Sequence, residues 1–140
     1  MTKPRNLLQL GQMITAKLLE IDRLSVSRRI YPRKVIEDAL VDWERHFHTK
    51  TMPIFKGPTA TPNVDDIVGY AENFRFEEGY LVADVGFIEG REKDVGAQGE
   101  IINIRPNGSG TTDENGVIEE GYRIVGLCVK HATIGSYEKK

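Results

Sequence analysis

The chain has 140 residues, of which 39% are hydrophobic and 29% are charged, and its formal net charge is −2. A chain of this length suits one domain with a buried core, and the weak net charge excludes recruitment to nucleic acid or to an acidic membrane by a general positive field. Cys128 is the only cysteine, which excludes an intramolecular disulfide and a cysteine metal cluster, and no apolar run approaches the ~18 residues of a membrane helix.

The first twelve residues combine two cations with three leucines: Lys3 and Arg5 precede Leu7, Leu8 and Leu10. Leucines ahead of the first strand need a surface to cover them, because apolar area in contact with water costs free energy. We therefore predict that residues 1–12 form an extended arm and that these five residues bind a partner, such as a neighbouring subunit. A frayed or loosely docked terminus is the alternative interpretation.

A strand and then a helix are predicted next. Residues 13–21 alternate enough between apolar and polar side chains for a β-strand. Pro32 suits the first turn of a helix, which we predict over about residues 32–48. Spacings of four, three and four residues give this helix one apolar stripe, made of Ile36, Leu40, Trp43 and Phe47 and widened by Val35 and Ala39. The aromatic pair Trp43 and Phe47 is its heaviest predicted anchor.

Five further strands are predicted, over residues 51–55, 67–76, 80–88, 100–105 and 122–134. The second and third form a hairpin, with Gly79 as the positive-φ residue of a three-residue connection. The glycine-rich residues 106–116 are predicted to be a flexible loop. The sequence thus predicts an α+β fold, in which a mostly antiparallel, barrel-like β-sheet carries one long helix. The single domain spans residues 13–135, and residues 136–140 form a flexible tail.

Candidate catalytic and metal-binding residues are scattered. His46 and His48 are two residues apart and so lie on different faces of a helix, unlike a helical zinc pair. Cys128 alternates with apolar residues in a strand, which favours a buried side chain over a nucleophile. Ser109 lies between residues of a glycine-rich loop, and His131 has no serine on an apolar strand as a partner. We therefore predict no catalytic residue, no metal site and no cofactor.

One family resemblance starts from the segment Arg29-Ile30-Tyr31-Pro32-Arg33-Lys34-Val35-Ile36-Glu37-Asp38-Ala39. This segment resembles the N-terminal signature of tailed-phage prohead proteases, in which an "N-G-R-x-Y-P" turn leads into a helix. Three later segments, Pro53–Pro58, Asp65–Tyr70 and Gly79–Val85, resemble strands of that family in the same order. The resemblance covers roughly residues 13–88, and it implies a β-barrel fold like that of herpesvirus assemblin and a place in the phage head.

The sequence differs from that family at the positions of the family's catalytic residues. The family has a His-Pro motif after the helix, and this chain has Lys56-Gly57-Pro58-Thr59-Ala60-Thr61-Pro62 there, without a histidine. The family has a serine on a later strand, and this chain has Tyr122-Arg123-Ile124-Val125-Gly126-Leu127, without a serine. A serine triad that lacks both nucleophile and base loses its chemistry, which indicates a protein that is not an enzyme.

Together, the resemblance and these departures predict a structural component of a bacteriophage head that decorates or cements the lattice of the major capsid protein. The implied partner is the major capsid protein, in a homo-oligomer or a symmetric array; no membrane and no sequence-specific nucleic acid partner is expected. Such a protein is made in the host cytoplasm and resides in the virion capsid. Two alternatives stay open: a prohead maturation protease with a displaced Ser/His site, and a small soluble binding module unrelated to phage.

Overall fold

The computed structural model describes residues 13–25, 28–57, 61, 63–91, 101–130 and 137–138. Within these residues, seven strands form one sheet and one α-helix packs against it. The elements in chain order are β1 (Ile14–Glu20), α1 (Arg33–Phe47), β2 (Met52–Phe55), β3 (Ile67–Glu77), β4 (Tyr80–Phe87), β5 (Ile101–Ser109), β6 (Arg123–Lys130) and β7 (Tyr137–Glu138). No helix in this part of the chain is long and apolar enough to cross a membrane.

The sheet is mixed and curls into a half-barrel. Its strand order is β1-β4-β3-β2-β6-β5-β7, and every neighbouring pair is antiparallel except β2 and β6, which run parallel. The predicted α+β class and mostly antiparallel sheet are confirmed. The parallel pair was not predicted, because the periodicity of a strand shows which face is buried but not which distant strand lies beside it.

Helix α1 begins directly after Pro32, which has no side-chain acceptor to cap the first free N–H groups. Asp22 supplies that acceptor from the preceding loop, since its Oδ1 accepts a hydrogen bond from the N–H of Arg33 at 3.0 Å. At the other end, His48 adopts a left-handed φ of 56° and donates its N–H to the carbonyl of Glu44 at 2.8 Å. The helix is thus fixed at both ends by local hydrogen bonds.

The helix contributes one face to the hydrophobic core. Its buried residues are Val35, Ile36, Ala39 and Trp43. Phe47 differs from the prediction, because 47% of its surface is exposed and it is therefore not a core anchor. The core ends at Trp43, and the residues that follow it in α1 are all exposed.

The hairpin of β3 and β4 has a tighter turn than predicted. Only Glu78 and Gly79 connect the strands, and both have positive φ, 51° and 85°. Two consecutive positive φ values characterise a type I′ turn, whose twist matches that of the flanking strands. Glu77, predicted as part of the connection, is instead the last residue of β3.

Strand β5 is longer than predicted, because it continues through Pro106 to Ser109. Its ladder with β6 shifts register between Pro106 and Gly108, and a bulge of this kind tolerates a residue without an N–H group. Gly108 is required here, since a Cβ atom would overlap the hydroxyl oxygen of Tyr122. Proline and glycine thus mark an irregular strand at this position, where the sequence predicted a loop.

The rest of the predicted flexible loop is also ordered by hydrogen bonds. Asp113 Oδ1 accepts from the N–H groups of Asn115 at 2.8 Å and Val117 at 3.0 Å, which closes a turn. The N–H of Ile118 then bonds to the carbonyl of Ile30 at 2.9 Å, which ties this turn to the segment before α1. The prediction of a flexible loop over residues 106–116 is therefore wrong.

The predicted domain limits fall near the ends of the described residues. Strand β7 pairs Tyr137 and Glu138 with Ile102 and Ile101 of β5, so this part of the predicted tail, residues 136–140, takes part in the sheet. The predicted arm, residues 1–12, lies outside the described residues.

Arg105 bridges the seam of the half-barrel between β5 and β1, which no ladder pairing joins in the described part of the chain. Its guanidinium donates to the carbonyl of Leu18 at 2.8 Å. Burial lowers the pKa of Arg105, because desolvation disfavours its charged form. The hydrogen bond thus joins β5 to β1 across the seam through a buried guanidinium.

Replacing Arg105 by methionine should lower the free energy of unfolding by about 2 kcal/mol, because the carbonyl of Leu18 loses its donor while a similar side-chain volume is kept. Urea denaturation of the native chain and the variant measures this change. Lys56→Met is the matched control, since the Lys56 side chain is 57% exposed. Equal effects of the two substitutions would show that the bridge contributes nothing.

Candidate functional site

The described serine and histidine side chains that the sequence singled out lie in different places. Ser109 is exposed at the end of β5, opposite Arg123. His46 is exposed in the last turn of α1, with its ring edge-on to Phe47 at 4.7 Å, and His48 ends that helix. No hydrogen bond joins Ser109 to either imidazole among the described residues, so these three do not form a nucleophile–base pair. His131 lies outside the described residues.

Cys128 is buried, as predicted, with 1% of its surface exposed. In the sheet it lies between Phe55 of β2 and Arg105 of β5. A substrate cannot reach this thiol unless the sheet opens. The described part of the chain also contains no group of three or more His, Cys, Asp or Glu side chains that could hold a metal ion.

A polar network ties β1, β3 and β4 together. Asp84 accepts hydrogen bonds from Asn73 Nδ2 at 3.0 Å, from Thr15 Oγ1 at 3.1 Å and from Arg75 at 3.2 Å. These bonds, first that of Asn73, lower the pKa of the Asp84 carboxyl against the opposing effect of desolvation. Asn73 has a φ of 58° and lies where the β3–β4 register shifts, so the network fixes an irregularity in the sheet.

Acid should remove the contribution of Asp84 to stability. Its folded-state pKa is lowered, so the contribution is present above the unfolded-state pKa of about 3.9 and is lost as pH falls through the folded-state value. Urea denaturation should show a larger difference between the native chain and Asp84→Asn at about pH 6 than at about pH 2.5. Asp65→Asn, in the short 3-10 helix Val64–Asp66, is the exposed control; the same pH dependence in both variants would contradict the assignment.

A groove of about 270 Å³ opens between the second half of α1 and strands β2 and β3. We call it the helix groove. Apolar side chains form most of its wall, and Val41 within it is 51% exposed. The residues that line it are Leu40, Val41, Trp43, Glu44, Lys50, Met52, Asn73 and Phe74.

Trp43 lines the helix groove and carries a buried indole N–H. The residue is 6% exposed, and its buried Nε1 has no hydrogen-bond partner among the described residues. Its ring packs on that of Phe47, with the centroids 4.0 Å apart and the planes tilted by 32°. Buried polar groups are almost always hydrogen-bonded, so this indole N–H is an exception within the described part of the chain. The groove itself presents mainly apolar side chains.

The sequence did not identify this groove. Val41 lies outside the apolar stripe of α1, and an apolar residue on the water-facing side of a helix was the signal that could have pointed to it. The residues that were predicted to bind a partner, Lys3, Arg5, Leu7, Leu8 and Leu10, lie outside the described residues. Their role stays a prediction.

The fold can be compared with known proteins. No protein-family model and no curated protein sequence matches the chain. A solved structure, that of the bacteriophage T4 capsid assembly protease, gp21, matches with a TM-score of 0.66 and 16% sequence identity, over 89% of this chain and 93% of that chain. The chain folds like a phage capsid assembly protease. The capsid-protease fold that the resemblance implied is thus confirmed.

The prediction that the chain is not an enzyme is contradicted by this comparison. It rested on the missing histidine after the helix and the missing serine on a later strand, whereas the solved structure that shares the fold belongs to a protease. A family motif identifies a nucleophile and its base only when both residues lie at the positions usual for the family. The absence of these two residues is therefore not evidence that the chain lacks protease activity.

Proposed function

We propose that this protein works in the assembly of a phage head, as a protein of protease type that acts on capsid or scaffold polypeptides. The observation that carries the proposal is the likeness to the T4 capsid assembly protease, which extends over 89% of this chain and 93% of that one. Since nearly the whole of both chains takes part, the likeness is not confined to one shared motif. It favours a phage protein over a binding module unrelated to phage.

The reaction we propose is peptide-bond hydrolysis at a displaced site. A serine or cysteine nucleophile needs a base within about 3 Å to take its proton. His46 and His48 lie at the exposed end of α1, where no nucleophile of the described residues is bonded to them. The third histidine, His131, directly follows β6 in the sequence and is the base we propose.

Incubating the purified chain with capsid and scaffold protein tests the reaction. We expect cleavage products by mass spectrometry, a rate at least about 100-fold lower for His131→Ala, and an unchanged rate for the control His46→Ala. Cleavage that survives His131→Ala would reject this base but keep the protease. Binding without any cleavage would reject the reaction while leaving the role in head assembly.

We also propose that the protein stays with the finished head, where it decorates or cements the lattice of the major capsid protein. The helix groove supports this part of the proposal, because its wall, which includes the 51% exposed Val41, offers apolar side chains to a capsid protein. Repetition over a symmetric lattice would add avidity to a modest contact. Quantitative mass spectrometry of purified virions should find the protein in hundreds of copies, and its absence from virions would reject this part.

A further inference from the structure

We infer that Asn115 is a site of spontaneous deamidation, in which its side-chain amide is converted to a carboxylate. The inference does not depend on the proposed function, because it concerns a reaction of the chain with water. The sequence contains two Asn-Gly pairs, Asn107-Gly108 and Asn115-Gly116. Glycine has no side chain to hinder the approach of its nitrogen to the preceding residue, so both pairs have the local sequence that the reaction needs.

The reaction joins two groups that are neighbours in the chain. The backbone nitrogen of Gly116 loses its proton to hydroxide and attacks the side-chain carbonyl carbon, Cγ, of Asn115. A C–N bond forms, and the side-chain amide group takes up a proton from water and leaves as ammonia. Water then opens the ring that has formed. Opening at Cγ leaves an aspartate, whereas opening at the backbone carbonyl leaves an isoaspartate, in which the main chain runs through Cγ.

Asn115 lies at the tip of a surface turn. Asp113, Glu114 and Asn115 are all exposed, and the turn lies between β5 and β6, outside both strands. The N–H of Gly116, which has to be released for the attack, donates to the carbonyl of Asp113 at 3.1 Å. Because this bond belongs to a surface turn, it can open while the ladders of the sheet stay intact.

Asn107, by contrast, lies within β5. The residue that carries the attacking nitrogen, Gly108, pairs with Ile124 in the ladder with β6. Gly108 is also closely packed, since a Cβ atom there would overlap the hydroxyl oxygen of Tyr122. The nitrogen of Gly108 therefore reaches the Asn107 side chain only when the ladder opens, which costs more free energy than the opening of a surface turn. The fold protects Asn107 and leaves Asn115 reactive.

Asp113 sets how often the turn around Asn115 opens. Its Oδ1 accepts hydrogen bonds from the N–H groups of Asn115 at 2.8 Å and Val117 at 3.0 Å, and its carbonyl accepts that of Gly116. These bonds hold the chain on both sides of the reacting nitrogen. The rate of deamidation should therefore increase when the side chain of Asp113 is removed.

The isoaspartate product should disturb the segment before α1. The carbonyl of Gly116 accepts a hydrogen bond from the N–H of Ile30 at 3.0 Å. Gly116 is closely packed at this contact, since a Cβ atom would lie 2.8 Å from the carbonyl oxygen of Arg28. An isoaspartate adds a methylene carbon to the main chain directly before Gly116, so this carbonyl shifts away from Ile30. Deamidation thus loosens the tie between the turn and the segment that leads into the helix.

Ageing the purified chain in mildly alkaline buffer, followed by tandem mass spectrometry of its peptides, tests the site. In the native chain we expect Asn115 to deamidate at least about tenfold faster than Asn107. In urea, where the fold protects neither residue, the two rates should lie within about twofold of each other. Equal rates in the native chain, or an Asn115 that reacts in urea but not in the native chain, would overturn the inference.

Two variants test the role of the turn. Asp113→Ala should raise the rate at Asn115 at least about threefold and leave the rate at Asn107 unchanged. Hydrogen exchange at the Ile30 amide should be faster in the aged chain than in the fresh one. Asn115→Asp is the matched control, because it carries the new charge without the added carbon and should leave this exchange unchanged. A rate that does not respond to Asp113→Ala would overturn the role of the turn, and unchanged exchange in the aged chain would overturn the structural consequence.

Discussion

Replacing Gly69 by alanine is expected to lower the free energy of unfolding by about 3 kcal/mol. The added methyl group would overlap the carbonyl oxygen of Gly86 on the neighbouring strand β4 and lie 3.1 Å from Cα of Phe87. These are backbone atoms held by the β3–β4 ladder, in which Gly69 pairs with Phe87, so no side-chain rotation relieves the overlap. Thermal unfolding should show a melting temperature lower by about 10 °C.

Gly57→Ala is the control for this prediction. A Cβ atom at Gly57 would meet nothing within 4 Å. The same chemical change should there alter stability by less than about 0.5 kcal/mol, or stabilise slightly by restricting the unfolded chain. If both variants have the same melting temperature as the native chain, β3 and β4 are not packed as closely at Gly69 as described.

Leu18→Ala is expected to cost about 2–5 kcal/mol, because it leaves a cavity in the core. Leu18 is fully buried, at 0% exposed. Its carbonyl also accepts the hydrogen bond of Arg105 across the seam, so relaxation of β1 into the cavity would disturb that bridge. Urea denaturation measures the loss.

Two companion variants separate cavity formation from other effects. Leu18→Met keeps the volume and should cost less than about 1.5 kcal/mol. Leu24→Ala removes the same atoms from a residue that is 58% exposed and should change stability by less than about 0.5 kcal/mol. A loss for Leu24→Ala as large as that for Leu18→Ala would contradict the assignment of β1 to the core.

Patterns of apolar and polar residues along the sequence predicted the strands and the helix whose formation depends on residues close together in the chain. The alternation in residues 13–21 agrees with β1, in which Ala16 and Leu18 are fully buried. The full length of β5 was not predicted, because proline and glycine usually end strands. Here the β5–β6 register shifts between Pro106 and Gly108, and Gly108 leaves room for the side chain of Tyr122. Proline and glycine in a sequence do not show whether the chain forms a loop or a bulge within a strand.

The candidate site was less predictable than the fold. The helix groove depends on where the core ends along α1, and that is set by the position of Met52 and Phe74 on other strands. That Trp43 Nε1 has no acceptor among the residues that the structure describes is likewise a property of its three-dimensional surroundings. The prediction that the chain is not an enzyme was wrong because it treated two absent motif residues as an absent activity, whereas the likeness to the fold of a protease extends over 89% of the chain.

Parallel pairing of β2 with β6 delays the completion of folding. The β3–β4 hairpin is local and closes through two residues, an event of about 1–10 μs. Phe55 of β2, by contrast, pairs with Cys128, far along the chain. At synthesis rates of about 5–20 residues per second, several seconds pass before β6 emerges from the ribosome. During that interval one edge of β2 has no strand beside it, so nascent chains are open to pairing with one another at this edge.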